Sequence, residues 1–492
     1  MMRLFLFLSL LACVSSFKIL IYSPKFGASH VSFLGKVADI LVEEGMEVTV
    51  LLSQMNPWLT SSGTKKAKTI TIGSDPRVAE MYKDPSIVSK VWNSDSHDFF
   101  LVKYMLDSVK TFHTHQCETN LQKKNLMETL KKQKFDLGIS EVFDLCGLAL
   151  FEEIGLAKHV LMQTALMPET VARAIGAPNL PSIVPAYYSD TPMNMNYMQR
   201  AANLFKSLFG IWWTDSMISS IEKAYANETG KKVDLWKKLT EASFVFTNTD
   251  PLLDFPRPTT ERIINLGGIS VPEPKPLDAY WAEVVTKRAT TVLMSFGSVA
   301  QSFHMPEEMK KSVLETFKRF PENDLLSHPN LKLFITHAGM NSILETSRRG
   351  VPMLTIPLFG DQKRNAQMVK RFGSANSLDK SDLSNPDILE ANIREMLENE
   401  SYRNNATSLS KVMAKRPLNQ RDQLVKHVKF AAEFGSLPEH RIPQISFLQY
   451  YMVDVLVPVT LITVFLPVTL IYAAVRLTKC IFCRKPKKVK LF

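Results

Sequence analysis

A strand-to-helix junction in the C-terminal half of the chain carries groups that suit a phosphate. The apolar residues 334–336 are typical of a strand end, and Gly339 gives the backbone room before a helix that begins near Asn341. A helix N-terminus presents free backbone N–H groups and the positive end of a dipole, which favour an anion. His337 and Asn341 add side-chain donors, so we interpret this junction as a phosphate site.

Further polar residues follow the junction at spacings that suit the rest of a sugar nucleotide. Ser342 adds a hydroxyl beside the phosphate site. Glu345, one helical turn further on, can accept hydrogen bonds from the vicinal hydroxyls of a ribose. Asp361 and Gln362 come after the next apolar segment and offer an acceptor and an amide to a sugar.

Residues 334–362 closely resemble the donor-binding signature of the UDP-glycosyltransferase family, and in particular its membrane-anchored animal UDP-glucuronosyltransferase type. Residues 295–298 and 266–269 support the same resemblance, which extends over nearly the whole chain. It implies an α/β fold of GT-B type, with two Rossmann-like domains facing across a cleft, plus one C-terminal transmembrane helix. It also implies that three residues of segment 295–298 contact the donor: Ser295, Gly297 and Ser298.

The resemblance further implies a general base in the N-terminal half. Family members use a histidine to take the proton of the acceptor hydroxyl, and the matching residue is His30, which precedes the first predicted helix. A histidine titrates near neutral pH, which suits this task. The family pairs the base with a carboxylate that fixes its tautomer. Glu141 stands at that position, where the family often has Asp, and Asp144 is a second candidate.

The uracil-binding segment of the family is absent. Family members carry two strands and a Trp-x-Pro-Gln motif after the first helix of the C-terminal domain, whereas residues 318–322 here run straight into residues 323–329. No tryptophan follows Trp281, and the nearest remnant of the motif is Phe320 with Glu322. The carboxylate of Glu322 accepts hydrogen bonds, as the carbonyl groups of uracil do, so it has the wrong polarity to bind them. We therefore expect unpaired apolar helix faces, or strands that close a gap in the sheet.

Two blocks of alternating strands and helices position these residues. The first block is a βαβ unit that opens a parallel sheet, with strands at residues 17–23 and 47–52 and a helix at 33–44. The second block repeats this rhythm from residue 291. It comprises strands at 291–295, 331–336 and 352–357 and helices at 306–320 and from about 341. Two such domains usually bind their ligand in the cleft between them.

These patterns predict the domain boundaries. The predicted segments are a signal peptide (1–16), an N-terminal acceptor-binding domain (17–270), a proline-rich linker (271–288), a C-terminal donor-binding domain shortened near 320–323 (289–440), a transmembrane helix (455–475) and a basic tail (476–492). An aromatic run at residues 204–213 suits a membrane surface, the wall of a substrate pocket or plain core; we favour core or pocket.

Charge and targeting signals predict the location. The net charge of +11 is concentrated in the tail, whose seven cations are accompanied by no acid, so we expect no nucleic-acid partner. The positive-inside rule places the tail in the cytosol and residues 17–454 on the other side of the membrane. Lys488 and Lys490 resemble a dilysine retrieval signal. The chain is therefore expected to be a single-pass type I protein of the endoplasmic reticulum membrane.

Cysteine usage and glycosylation sequons agree with this topology. Only Cys117 and Cys146 fall in the luminal part, so one disulfide is possible. Cys480 and Cys483 suit acylation, or no role, better than metal binding. Three Asn-x-Ser/Thr acceptors lie in the luminal part: Asn227, Asn399 and Asn405. No cluster has credible metal-ligand spacing, so a metal-free site is expected.

The resulting hypothesis is an inverting transferase with no cofactor beyond its co-substrate, UDP-glucuronate or UDP-glucose. Its partners would be this donor, a small lipophilic acceptor, the membrane and, as a homo- or hetero-oligomer, other family members. One alternative is a non-catalytic family member or splice form that binds acceptors or associates with active relatives. The other is a working transferase with a different donor, because the sugar end of the site survives while the nucleobase end is lost.

Overall fold

A computed structural model describes residues 16–84, 90–94, 98–272, 275–286, 290–320, 331–441, 443 and 446–482. The chain divides into two compact units, Met1–Arg441 and Ile442–Phe492. The predicted signal peptide up to residue 15, residues 321–323 at the predicted deletion and the tail beyond residue 482 lie outside the described residues.

A seven-stranded parallel sheet forms the first half of the larger unit. Its strand order is β3-β2-β1-β4-β5-β6-β7, that of a doubly wound fold. The strands are β1 (Lys18–Lys25), β2 (Glu47–Gln54), β3 (Lys68–Ile72), β4 (Leu137–Glu141), β5 (His159–Gln163), β6 (Val245–Thr247) and β7 (Ile263–Asn265). Alternate residues of β1 enter two different core clusters, because the sheet is covered on both faces.

Helices connect these strands. They are α1 (Ala28–Glu43), α2 (Pro76–Lys83), α3 (Phe99–Gln122), α4 (Lys124–Lys132), α5 (Cys146–Glu153), α6 (Glu169–Ala174), α7 (Tyr197–Thr229) and α8 (Leu235–Glu241). Helix α1 begins at Ala28, five residues before the predicted start, because the chain leaves the extended conformation already after Gly27. His30 therefore lies within the first turn of α1 rather than before it.

A four-stranded parallel sheet forms the second half of the unit. Its strands are β8 (Thr291–Ser295), β9 (Leu331–Thr336), β10 (Met353–Thr355) and β11 (Ala375–Ser377), in the order β11-β10-β9-β8. Its helices are α9 (Ala279–Thr286), α10 (Glu307–Lys318), α11 (Met340–Arg349), α12 (Gln362–Lys370), α13 (Pro386–Glu398), α14 (Glu400–Ala414) and α15 (Gln420–Phe434). Short 3-10 helices lie at Ser302–His304, Lys380–Ser384 and Pro438–His440.

Strands β8 and β9, which flank the predicted deletion in sequence, are neighbours in the second sheet. In the first sheet β1 pairs directly with β4, while the two strands that follow β1 in sequence lie on its other side. By the same order, two strands between β8 and β9 in sequence would lie outside β8. Strand β8 pairs directly with β9, so the described strands leave no gap between them. The deletion and its effect on the helix faces stay predictions.

Helix α15 returns to the first domain. It packs against α1 and against the same face of the first sheet, and its apolar residues join a core cluster there: Leu424, Val425, Val428, Ala431 and Ala432. Arg421 at its start forms ion pairs with Glu43 and Glu44 at the end of α1. The end of the larger unit is therefore attached to the domain in which the chain began.

A buried disulfide joins two helices of the first domain. Cys117 on α3 is bonded to Cys146, the first residue of α5, with Cα atoms 5.5 Å apart. Both residues are fully buried. The bond that the sequence made possible is thus present, in the part of the chain predicted to be luminal.

The aromatic run at residues 204–213 divides between two environments on helix α7. Ile211 and Trp213 are buried, as a core assignment requires. Four other residues of the run lie on the outer face of the helix and are exposed: Leu204, Phe205, Leu208 and Trp212. The helical repeat separates the two sets, so the predicted core or pocket role holds for only part of the run.

The smaller unit consists mainly of one apolar helix. After a short helix α16 (Phe447–Tyr450), helix α17 extends over Val453–Phe482. Its segment Val453–Lys479, of 27 residues, contains an 18-residue window with a mean hydropathy of 2.3 and no buried residue, and is long and apolar enough to cross a membrane. Pro458 and Pro467 lie inside the helix.

Candidate functional site

The structure brings the predicted base and its carboxylate together. His30 lies in the first turn of α1, and Glu141 is the last residue of β4, which pairs with β1. The Nδ1 atom of His30 is 3.2 Å from Oε2 of Glu141. Glu141 is fully buried, whereas the His30 side chain remains 16% exposed. The buried carboxylate of Glu141 is therefore fixed in place, while one edge of the His30 imidazole reaches the cleft.

Thr164, which the sequence reasoning missed, also contacts this histidine. It follows β5, the strand beside β4, and its Oγ1 atom is 2.6 Å from Nδ1 of His30. Its backbone N–H donates to Oε1 of Glu141 at 3.4 Å. An ionised carboxylate only accepts, so a proton on Nδ1 satisfies both oxygens and leaves Nε2 free to take a proton from a ligand. Its place after a buried strand was the only sequence signal for Thr164.

Asp144 has other partners. The Tyr22 hydroxyl donates to its Oδ2 atom at 2.6 Å, and the backbone N–H of Cys146 donates to Oδ1 at 3.0 Å. Nδ1 of His113 is 3.6 Å from Oδ1. Burial raises the pKa of Tyr22 and lowers that of His113, so both stay uncharged near neutral pH. Of the two candidate carboxylates, Glu141 is the one that contacts His30.

Aromatic rings surround the base. The rings of Phe26 and Phe143 lie 4.2 and 5.6 Å from that of His30, centroid to centroid, and 5.0 Å from each other. Neither ring was a sequence candidate. An apolar wall beside one titratable group is the usual lining of a site for small lipophilic molecules.

The opposite side of the cleft holds the predicted phosphate junction. Helix α11 begins after Gly339, with no side chain capping its N-terminus and no acid in its first turn. Its first N–H groups are thus free of protein anions, and Asn341 and Ser342 lie in that turn. The preceding residue, Ala338, has φ = 65°, which turns the chain sharply between strand and helix.

The loop after β8 lies against the ring of His337, which belongs to this junction. A Cβ atom on Gly297, whose φ is 73°, would lie 2.7 Å from Nε2 of this ring. A Cβ atom on Gly339 would lie 2.5 Å from the same atom. Both glycines are therefore required where two backbone segments enclose one imidazole. Ser295 and Ser298 flank Gly297 and are exposed, so the segments predicted to hold a donor lie side by side.

Burial lowers the pKa of His337 to about 4, against a small opposing effect of the Ser295 backbone. In the unfolded chain this pKa is 6.5, so between these values only the unfolded chain binds the proton. Stability is therefore expected to decrease as the pH falls from about 6.5 towards about 4. His337→Gln should reduce this slope in thermal unfolding measured from about pH 7 to about pH 4.

The control for this measurement is His304→Gln, in the 3-10 helix Ser302–His304 outside the junction. It should keep the wild-type slope. An unchanged slope in His337→Gln would show that this ring is as easily protonated in the folded protein as in the unfolded chain.

The remaining predicted residues differ in their surroundings. Glu345 is exposed on α11, one turn beyond Asn341. Burial raises the pKa of Asp361, which accepts from Nδ2 of Asn365 at 2.8 Å. Oε1 of Gln362 accepts from two backbone N–H groups in the preceding turn. Its side chain can therefore offer a sugar only an NH₂ group.

The first domain supports the loop after β8 from behind. Trp92 meets Phe296 edge to face, with ring centroids 5.1 Å apart, and Nζ of Lys380 donates to the Val91 carbonyl at 2.5 Å. Trp92 is only 1% exposed. It is packed as core and presents no free face on which a base could stack. Among the described residues, no three His, Cys, Asp or Glu side chains are grouped closely enough to hold a metal ion.

Comparison with known protein families gives one broad match. The family model described as "UDP-glucoronosyl and UDP-glucosyl transferase" matches residues 18–319 and 304–489. Among curated proteins, the chain is 26% identical to "Putative UDP-glucuronosyltransferase ugt-48" of Caenorhabditis elegans, with both chains covered completely. It is 28% identical to "UDP-glucuronosyltransferase 3A1" of Bos taurus, with 89% of each chain covered.

Solved structures show the same architecture. Os79 from O. sativa, in complex with U2F and trichothecene, superimposes with a TM-score of 0.56 and 18% identity, covering 85% of this chain and 100% of that one. Phytolacca americana UGT2, complexed with UDP-2fluoro-glucose and pterostilbene, gives a TM-score of 0.52 and 15% identity with the same coverage. These likenesses show the fold, which is the two-domain GT-B arrangement.

Proposed function

Because the chain belongs to the UDP-glucoronosyl and UDP-glucosyl transferase family, we propose that it transfers a sugar from a UDP-sugar to the hydroxyl of a small lipophilic acceptor, with inversion. The observation that carries this proposal is the 3.2 Å contact between His30 and buried Glu141, in a cleft whose other wall is the open N-terminus of α11. A base and an anion site on facing domains would suit a transfer between two bound molecules.

In the proposed reaction, Nε2 of His30 takes the proton of the acceptor hydroxyl as its oxygen attacks the anomeric carbon of the sugar. The new carbon–oxygen bond forms on the face opposite the bond to the diphosphate, which breaks and leaves UDP. Glu141 holds the Nδ1 proton and stabilises the imidazolium that forms. The buried position of Glu141 keeps that orientation fixed during the reaction.

The donor would lie along the second domain. The N-terminus of α11 stabilises the charge that develops on the leaving diphosphate. The proposed phosphate contacts are His337, Gly339, Asn341 and Ser342, with Ser295, Gly297 and Ser298 lining the adjoining loop. Glu345 would accept from the ribose, and Asp361 with the NH₂ group of Gln362 would bind the sugar.

We further propose a single-pass protein of the endoplasmic reticulum membrane with its catalytic part in the lumen. Helix α17 has the length and apolarity of a membrane anchor. The buried disulfide between Cys117 and Cys146 favours an oxidising compartment for the larger unit. The N-terminal signal and the basic tail are the sequence features that favour this orientation.

A specific observation favours the alternative of a non-catalytic family member. The chain lacks the Trp-x-Pro-Gln segment, and the tryptophan that reaches the second domain, Trp92, is buried against Phe296. A protein with this deficit could still bind acceptors or associate with active relatives. A transferase that uses a donor other than a uridine nucleotide is also consistent with the missing segment. Competition between UDP and other nucleoside diphosphates distinguishes this transferase from a non-catalytic protein.

Calorimetric titration of UDP into the full-length chain in detergent tests the proposal. A second version would have the two strands and the Trp-x-Pro-Gln segment restored. One stacked aromatic ring contributes about 1–3 kcal/mol to binding a base, so the restored version should bind UDP roughly ten- to a hundredfold more tightly. The proposal expects measurable binding and sugar transfer by the native chain as well. Binding by the restored version alone would overturn the proposed uridine donor and leave the two alternatives, which the competition between nucleoside diphosphates separates.

A further inference from the structure

A buried asparagine lies between the two walls of the cleft. Asn248 follows β6 and is fully buried, and its backbone N–H donates to the Gln163 carbonyl at 2.9 Å. Its side-chain NH₂ group donates in two directions. One bond goes to the Thr164 carbonyl at 3.0 Å within the first domain, and the other to Oδ1 of Asn341 at 2.7 Å in the second.

We propose, on the basis of the function proposed above, that Asn248 is a positioning residue that sets the amide orientation of Asn341 and links the donor site to the base. Asn341 turns its carbonyl oxygen towards Asn248, so its NH₂ group is the end left for the cleft. An NH₂ group only donates. The contact therefore prepares Asn341 to bind an anionic oxygen and prevents its carbonyl from facing one.

The same asparagine is joined to the base through one residue. The Thr164 carbonyl oxygen accepts from the NH₂ group of Asn248, and the Thr164 hydroxyl oxygen lies beside the proton on Nδ1 of His30. The order of contacts is thus His30, Thr164, Asn248 and Asn341, with separations of 2.6, 3.0 and 2.7 Å. A phosphate that fixes Asn341 also fixes the backbone beside Thr164, which holds the base.

The arrangement of Asn248 is that of a link rather than of an ordinary core amide. Its two acceptors belong to different domains, and its own Oδ1 atom has no hydrogen-bond partner among the described residues. A buried carbonyl without a partner is costly. If Asn248 bonded only within the first domain, an apolar residue in its place would make the protein more stable. Asn248 instead keeps an NH₂ donor directed at Asn341 of the second domain.

A double-mutant cycle on donor affinity tests the inference. In the full-length chain, Asn248→Leu and Asn341→Ala should each weaken UDP binding by about ten- to a hundredfold, the usual range for a lost hydrogen bond to a charged group. If Asn248 acts through Asn341, the double variant should bind UDP no more weakly than Asn341→Ala alone. Fold-changes that multiply in the double variant would overturn the inference.

Asn203→Leu is the matched control. Asn203 is equally buried, but its NH₂ group donates to the carbonyls of Pro181 and Val184, within the first domain. The variant should be less stable than the wild type, and its effect on UDP affinity should multiply with that of Asn341→Ala. If the effects of Asn203→Leu and Asn341→Ala on UDP affinity did not multiply, any damage to the first domain would give the result expected for Asn248. That outcome would overturn the inference.

Thermal unfolding of the same variants without nucleotide separates this inference from the proposed function. If the wild type neither binds UDP nor transfers a sugar, the proposed function fails. The link between Asn248 and Asn341 is then decided by stability alone, where the two substitutions should be coupled and Asn203→Leu with Asn341→Ala should not. Additive stability changes for the first pair would overturn the link whether or not UDP binds.

Discussion

Substitution of His30 by alanine is expected to lower kcat by about a hundred- to ten-thousandfold, the usual contribution of a positioned general base. The acceptor hydroxyl would have no group to take its proton, while the phosphate junction on the facing domain remains intact. Donor affinity should therefore stay within about threefold of the wild-type value. Initial rates at saturating donor, together with UDP titration of the same preparation, measure both quantities.

His115→Ala is a suitable control for this variant. His115 also faces a glutamate, with Nδ1 3.3 Å from Oε2 of Glu118, but this pair lies on the surface of α3. The substitution is identical and the local pair is similar, so rate and affinity should both remain at wild-type levels. If His30→Ala retained more than about a tenth of the wild-type kcat, the base would have to be sought elsewhere.

The second large effect concerns stability. Cys117→Ser should lower the free energy of unfolding by about 3–4 kcal/mol, because the bond closes a loop over a sequence separation of 29 residues and its loss frees the unfolded chain. Denaturant unfolding under non-reducing conditions measures the change. A reductant should lower the stability of the wild type by a similar amount and leave the variant unaffected.

The double variant Cys117→Ser with Cys146→Ser sharpens this test. Removing the second sulfur of a broken bond should cost little more than removing the first, so the two effects should not add. Cys480→Ser, in the other compact unit, should leave the unfolding of the larger unit unchanged. Additive losses from Cys117 and Cys146 would mean that each thiol stabilises the core separately.

The sequence predicts the strands of this fold better than their order. Strands β8 and β9 have the predicted bounds, because strands buried on both faces are continuous apolar runs. For the second sheet, the sequence does not show that β8 and β9 are direct neighbours. Pairing is a property of the topology, and no apolar run records which strand is its neighbour.

The residues of the candidate site likewise divide into those that the sequence predicts and those that it does not. His30, Glu141 and the junction around Asn341 follow from local sequence and resemblance, and the structure brings each group to the cleft. Thr164 and Asn248 could not be found in this way. Each is a single polar residue after a short strand, and its meaning depends on β5 and β6 being neighbours in the sheet. Their partners are distant in sequence, so no spacing reveals them.

The return of helix α15 has a mechanical consequence. The chain passes between the two domains twice, once after β7 and again before α15, which packs beside α1. A domain connected to another by one chain segment can rotate in any direction, whereas a domain connected by two separate segments rotates mainly about the line that joins them. We therefore expect any opening of the cleft to be mainly a rotation about that line, which would return the two walls to the same alignment each time they close.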